Sequence, residues 1–315
     1  MVQSLGAPGA VTTTTVAALD RLCVSFLDCP TVAKGAANFL VLAENRVQET
    51  FEFAAFDLDR MRAELRDDPA TAAPLTGDEV AVIGETLERD LGNAGDINAY
   101  AERVATAVDL AKRYVANESK RYPDIDATLP QFWIVFTEAR FSHEYYLAAV
   151  GDDILLVSLG YWRTSMAPPS ALEFIVRMTQ AACGYFFLRL PVHYSTKGCL
   201  LDFNEYIQDA RLMVLVGNLC SVCRARASAK PAELAALLKL LDKEWVGDMT
   251  TSASVASVLK KVYDYDLYVS RGLSVNRLET FWDTVTSSSA QEFIRIIAAV
   301  VLAFLLLKFG LKPGG

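Results

Sequence analysis

The chain has 315 residues, enough for one large domain or two ordinary ones. Hydrophobic residues make up 52% and charged residues 22%, and the mean hydropathy is +0.24, which excludes a disordered or linker-dominated protein. A net charge of −8 and a pI near 5.0 argue against a nucleic-acid partner, because phosphate binding needs a basic surface.

The first fifteen residues are rich in Gly, Thr and Ala, with no cationic residue ahead of an apolar core. That is not the pattern of a secretory signal, and a cytosolic, reducing setting is expected. Residues 1–127 then read as helical. Leu19, Leu22, Cys23 and Phe26 recur at helical spacing. After Pro30 the period resumes with Phe39, Leu42, Ala43, Val47, Phe51 and Ala54, and Asp67-Asp68-Pro69 closes the segment. Thr76-Gly77-Asp78-Glu79 has the form of a capping box. Asp96 can cap a further helix whose apolar face carries Ile97, Tyr100, Val104, Val108, Ala111 and Val115. Four amphipathic segments with short polar links predict an N-terminal antiparallel bundle. Residues 1–130 carry 21 acidic and 12 basic side chains, against 17 and 18 in the remainder. Nearly all the net acidity therefore belongs to this first region, as a solvated bundle surface would have it.

Beyond Pro130 the pattern changes. Phe132–Phe136 and Ile154–Leu159 are continuous apolar runs bounded by turn residues, the mark of buried strands. Pro168-Pro169-Ser170 introduces a helix through Leu172, Val176 and Thr179 toward Phe187, and Phe203, Tyr206, Ile207, Ala210 and Val214 suggest another. Residues 128–246 thus read as a mixed α/β domain. Helices at Glu233–Trp245 and Ser254–Tyr263 lead into an extension over 247–290 that ends in the hinge-like TVTSSSA of 284–290. The whole reads as α+β and mainly helical.

Residues 291–315 form a hydrophobic C-terminal helix in this reading. Phe293, Ile296, Ile297, Val300, Val301, Leu302, Phe304, Leu305, Leu306 and Leu307 lie in a stretch whose only charges up to Leu311 are Arg295 and Lys308. As a helix, 293–311 would span about 28 Å, close to the bilayer core of about 30 Å, with the two charges snorkelling at its ends. A tail anchor with the bulk of the chain on the cytoplasmic side is expected. A helix buried in the domain or in an oligomer interface is the other way to cover such a surface.

Four soft ligands fall within thirty-one positions: His193, Cys199, Cys220 and Cys223, spaced H-x5-C-x20-C-x2-C. Zn2+ prefers thiolate and imidazole in a tetrahedron, and a C-x2-C pair offers two sulfurs from one turn. A closed structural zinc site is expected here, and isolated reduced cysteines are the alternative. Cys220 follows an apparent helix, not a strand, which disfavours a thioredoxin-like redox pair.

The run from the first strand to Cys223 resembles the archaemetzincin branch of the zinc metalloproteases, which has strands ahead of HExxHxxGxxHC followed by x4-C-x-M-x17-C-x2-C. His193 falls on the third histidine, Cys199 on the next cysteine, and Cys220 and Cys223 on the last pair, with one residue inserted. The resemblance covers about residues 131–225. It implies a zincin-like unit that has lost its catalysis. Cys183 and Phe187 stand at the other two histidines, Gly184 at the glutamate, Leu190 at the glycine, Tyr194 at the first structural cysteine and Leu201 at the methionine. A zinc protease needs ligands for an open metal and a carboxylate to activate water. No catalytic residue is therefore assigned, and His193 is left to complete the structural site.

His143-Glu144 begins an HExxH-like string, but Leu147 stands at the second histidine, and the chain has only two histidines. No P-loop, G-x-G-x-x-G or G-x-S-x-G element is present. The expected function is a non-enzymatic, zinc-stabilised interaction or assembly protein. It would associate with a membrane, with copies of itself or with a protein partner, and not with nucleic acid. A divergent metal- or thiol-dependent hydrolase (through Cys183 and His193, for instance) and a membrane-inserting effector activated by oligomerisation are the alternatives.

Overall fold

A computed structural model describes residues 20–67, 78–79, 96–122, 129–142, 145–160, 162, 169–194, 198–204, 207–265 and 267. Its centre is a five-stranded sheet of β1 (Asp20–Phe26), β2 (Phe51–Asp57), β3 (Phe132–Thr137), β4 (Leu147–Val150) and β5 (Ile154–Ser158), in the order β2-β1-β3-β5-β4. All neighbours pair in parallel except β4, which runs antiparallel to β5 along one edge.

The strand sequences explain why both faces are covered. Along β1, Leu22, Val24 and Phe26 point to one side while Cys23 points to the other. Phe132, Ile134 and Phe136 alternate likewise with Trp133 and Val135 along β3. With apolar side chains on both faces, the sheet needs a layer on each. One face packs on helices α1 (Lys34–Ala43), α4 (Ala171–Phe186), α7 (Pro231–Leu241) and α8 (Val255–Tyr263). The other packs on α2 (Leu58–Asp67) and α3 (Ile97–Arg121). Two shorter helices, α5 (Ile207–Val216) and α6 (Ser221–Ala227), and the small ladder of β6 (His193–Tyr194) with β7 (Asp202–Phe203) lie between α4 and α7 in the chain.

The expected strands at Phe132 and Ile154 are present, as are the helix opened by Ser170 and the one capped by Asp96. Asp96 accepts from the Asn98 backbone N–H, and Ser170 and Glu173 form a reciprocal capping box at the start of α4. The N-terminal bundle is corrected. The segment with Leu22, Cys23 and Phe26 is strand β1, and the helix read from Phe39 to Ala54 stops at Ala43. A 3-10 turn and then β2 take up the rest of that segment. The side chains of Asn45 and Gln48 explain the break. Asn45 bonds both the N–H and C=O of Phe53, and Gln48 does the same for Phe51, so they serve the backbone of this edge strand directly. Residues 20–57 and 132–158 therefore build one sheet, and the boundary expected at 127 falls inside a single compact unit. Phe203, expected in a helix, belongs to β7.

Among the described residues no helix is long and apolar enough to cross a membrane. The stretch 291–315, with its expected anchor at Phe293–Leu311, lies outside the described residues, as do the hinge at 284–290 and most of the segment opened by Thr76.

The side of the sheet covered by α1 and α4 buries the carboxyl of Glu44. Glu44 is fully buried in the turn after α1, where its Oε1 accepts from Gln180 Nε2 of α4 at 2.6 Å. Burial pushes its carboxyl up to about 8, against the smaller opposing effects of Gln180 and Arg177. A carboxyl raised in the folded state stabilises fully below its ordinary value near 4.5, and that contribution is lost as pH rises toward 8. Glu44→Gln should therefore melt within about 2 °C of the parent at pH 5 and at least about 5 °C above it at pH 8, as read by thermal denaturation across that range.

Candidate metal centre

The route from α4 to α6 passes three times through one small volume. After α4 the chain extends into β6, where His193 pairs in register with Asp202 of β7, and the His193 N–H donates to Leu201 O. Gly198 (φ +114°) turns the chain so that Cys199 forms a bridge with Asn218. Helix α5 then carries the chain away, and Gly217 (φ +53°) turns it back after the helix ends. Both glycines sit in backbone conformations that side chains with a Cβ resist. Cys220 is the N-cap of α6, and Cys223 lies one turn inside it.

The four donor atoms lie within 4.8 Å of one another and could hold a metal ion. His193 Nε2 is 3.2 Å from Cys223 Sγ and 3.6 Å from Cys220 Sγ, and Cys199 Sγ is 3.9 Å from Cys223 Sγ. A tetrahedron with sulfur at about 2.3 Å and nitrogen at about 2.05 Å from its centre has S–S edges of about 3.8 Å and N–S edges of about 3.6 Å. These three separations match such edges to within about 0.4 Å.

The surroundings suit thiolates. Cys199 Sγ accepts from the Cys220 backbone N–H, and Cys220 Sγ accepts from that of Cys223, each at 3.4 Å. Burial raises the Cys220 thiol, yet the Cys223 N–H and the thiols of Cys223 and Cys199 outweigh it, and the net shift is downward. Cys199 is raised by burial, and Cys223 is raised further by burial and then by the negative charge of Cys199. Three sulfurs this close oppose one another's ionisation, and a shared cation reverses the sign of that interaction.

Asp202 is not legible in the sequence as part of the site. Its side chain is buried, and Oδ2 accepts from the backbone N–H groups of Gly198 and Cys199, both at 3.0 Å. Oδ1 stands 3.1 Å from His193 Nδ1, within reach but off the angle of a full hydrogen bond. One carboxylate thus holds the Cys199 loop and faces the imidazole from behind, leaving Nε2 toward the sulfurs. Such outer partners fix the tautomer and orientation of a ligating histidine.

The positions that the resemblance gives to a catalytic helix are packed. Cys183 is fully buried in α4, its thiol pushed well up by burial. Phe187 stacks on Phe51 at 4.7 Å, Leu190 is buried, and a Cβ at Gly184 would touch Leu201 and Leu237. Cys183 and His193 form no dyad, since the imidazole is directed to Cys220 and Cys223. Asp153 pairs with Lys112 and Asp264 with Lys260 at the surface, while Tyr263 and Tyr265 pack against the core. His143, Glu144, Asp266 and Tyr268 lie outside the described residues.

The other place where an α/β sheet commonly takes a ligand is the crevice at the carboxyl ends of its strands, where the strand order reverses. Here that point lies between β1 and β3, and its polar groups are engaged with one another. Asp28, at φ +56°, pairs with Arg62 at 2.7 Å and accepts from the Tyr100 hydroxyl at 2.7 Å. Asp59 accepts from the N–H groups of Asp28 and Cys29, and Lys34 bridges Asp57 and Asp59. Thr31 donates to Glu138 from both its backbone and its hydroxyl.

No family model, curated protein or solved structure matches the chain.

If Asp202 orients the imidazole and holds the Cys199 loop, Asp202→Asn should weaken metal binding about 10- to 100-fold. The check is titration of parent and variant with Co2+, read by its thiolate absorption in competition with a chelator.

Proposed function

We propose that this chain is a zinc-braced interaction or assembly protein without hydrolytic activity, held at the cytoplasmic face of a membrane by residues 291–315. The observation that carries the reading is the set of one imidazole and three sulfurs within 4.8 Å of one another, three of whose separations fit a tetrahedron. A Cys3His set is typical of structural Zn2+, and with four protein ligands no coordination position is left for a substrate or an activated water.

The role of the metal derives from where its ligands sit. His193 lies in the extended segment after α4, Cys199 in a tight loop, and Cys220 and Cys223 on α6. Zn2+ would supply a strong joint between segments whose strand pairing is limited to a two-residue ladder and one bridge. Ligands scattered along an unfolded chain form no such site, so binding energy becomes folding energy. A rigid surface built on this joint is suited to recognition. The strands ahead of α4 and the buried Cys183, Gly184 and Phe187 at the would-be catalytic positions support reading the chain as an inactive archaemetzincin-like relative.

The membrane part rests on sequence. A run as apolar as Ile296–Leu307 needs lipid or protein on every side, and its flanking Arg295 and Lys308 suit two interfaces.

Metal analysis coupled to membrane fractionation of the full chain tests both parts. One zinc per chain is expected, lost in Cys220→Ser with a fall in melting temperature of roughly 10 °C. The parent should sediment with membranes and the variant lacking 291–315 should not. A Cys220→Ser variant that melts with the parent would overturn the brace, and an unchanged soluble fraction after the deletion would overturn the anchor.

A further inference from the structure

A cleft of about 400 Å³, counted out to its mouth, lies between α1, α4, α5, α7 and the 3-10 turn Lys243–Val246. Its walls are mostly apolar, with Leu40, Val176, Val214, Leu240 and Trp245 among them. Into this apolar space α4 sets Glu173, Arg177 and Gln180, one or two turns apart along one helix face, and Lys243 approaches from the turn.

The polar groups are not equally committed. Glu173 Oε2 accepts from the Ser170 N–H in the capping box. Gln180 spends its amide N–H groups on Glu44 and on Leu240 O, and its carbonyl on Arg177. Arg177 is 5% exposed. Its Nε donates to Val214 O at 3.1 Å and Nη1 to Gln180 Oε1 at 2.7 Å, while Nη2 has no hydrogen-bond partner among the described residues. The guanidinium lies against Gly217, where any Cβ would collide with it, so the backbone itself fixes its place. Lys243 Nζ donates to Leu215 O at 2.6 Å and has no carboxylate partner among the described residues.

The charges do not cancel. Arg177 and Lys243 are both lowered, first by burial, and Lys243 next by repulsion from Arg177. Glu173 supplies one negative charge, while Glu44, pushed up to about 8, is largely protonated at neutral pH. Among the described residues, one positive charge is left at the edge of an apolar cleft. An anion with an apolar body answers both features, because it pairs with the uncompensated cation and covers the walls.

We infer that this cleft binds a small organic monocarboxylate with a short apolar chain, its carboxylate at Arg177 and Lys243 and its chain against Leu40, Val176, Leu240 and Trp245. The guanidinium's unused Nη2 and the lysine ammonium give the two oxygens one donor each. The site is separate from the metal centre and does not depend on the function proposed above.

The test is calorimetric titration of the full chain with hexanoate, 1-hexanol and hexylamine, whose bodies match and whose heads are anionic, neutral and cationic. Hexanoate should bind with one site per chain, at least about tenfold more tightly than either analogue. Arg177→Met and Lys243→Met should each weaken hexanoate about tenfold or more while leaving hexanol unchanged within about threefold. Lys243 is exposed, so its variant keeps the test valid if the buried Arg177 variant does not fold. Absence of saturable hexanoate binding up to about 10 mM, equal binding of hexanol, or hexanoate binding unaffected in Lys243→Met would each overturn the inference.

Discussion

Three cysteine sulfurs and an imidazole nitrogen within 4.8 Å impose a condition on everything around them. As thiolates they repel, and as thiols they waste the donors aimed at them, so the arrangement is favourable chiefly when a cation sits among them. The surrounding backbone is shaped to that end. Two glycines at positive φ, Gly198 and Gly217, aim the loops inward, and the Cys220 and Cys223 N–H groups point at sulfur rather than at water. Asp202 holds the back of the imidazole and the Cys199 loop together. The segments that carry the four donors pair with one another only through a two-residue ladder and one bridge, and an ion held there would tie them together.

Helix α4 connects this centre to the rest of the molecule. One of its faces fills the core above the sheet, with Phe186 stacked on Phe132 at 4.5 Å. Another carries Arg177 and Gln180, whose buried network reaches Glu44 near α1 and Leu240 at the end of α7. At its C-terminus Lys230 donates to Phe187 O, just before the chain turns toward His193. Where the resemblance would have α4 present a catalytic face, the helix presents a packed one, so its length is used for cohesion. The polar side chains at the sheet's switch point, from Asp28 and Arg62 to Thr31 and Glu138, are likewise spent on one another. Arg177 and Lys243, by contrast, line an apolar cleft between α4 and the Lys243 turn, where Lys243 has no carboxylate partner among the described residues.

Legibility in the sequence tracks the physics of each signal. Strands β3 and β5 stand out because six and five consecutive buried residues are too short for a helix that is apolar all round. Strand β1 has the same character but is shorter in its apolar run, and Leu22, Cys23 and Phe26 fit a helical stripe as well as a strand buried on both faces. Strand β2 is hidden by Ala54 and Ala55, and its start depends on side-chain-to-backbone bonds from Asn45 and Gln48 that no periodicity encodes. The metal ligands are readable because sulfur and imidazole are scarce and their spacing carries information. Asp202 is not, being one of 38 acidic residues and significant only through the register that sets it opposite His193. The Glu173, Arg177, Gln180 series looks like a solvated helix face, and only packing by α5, α7 and the Lys243 turn reveals it as interior.

X-ray absorption at the zinc edge of the purified full chain addresses the central claim most directly. The account predicts a four-coordinate shell of one nitrogen at about 2.0–2.1 Å and three sulfurs at about 2.3 Å. A shell with fewer than three sulfurs, or with an oxygen donor in the fourth position, would contradict it.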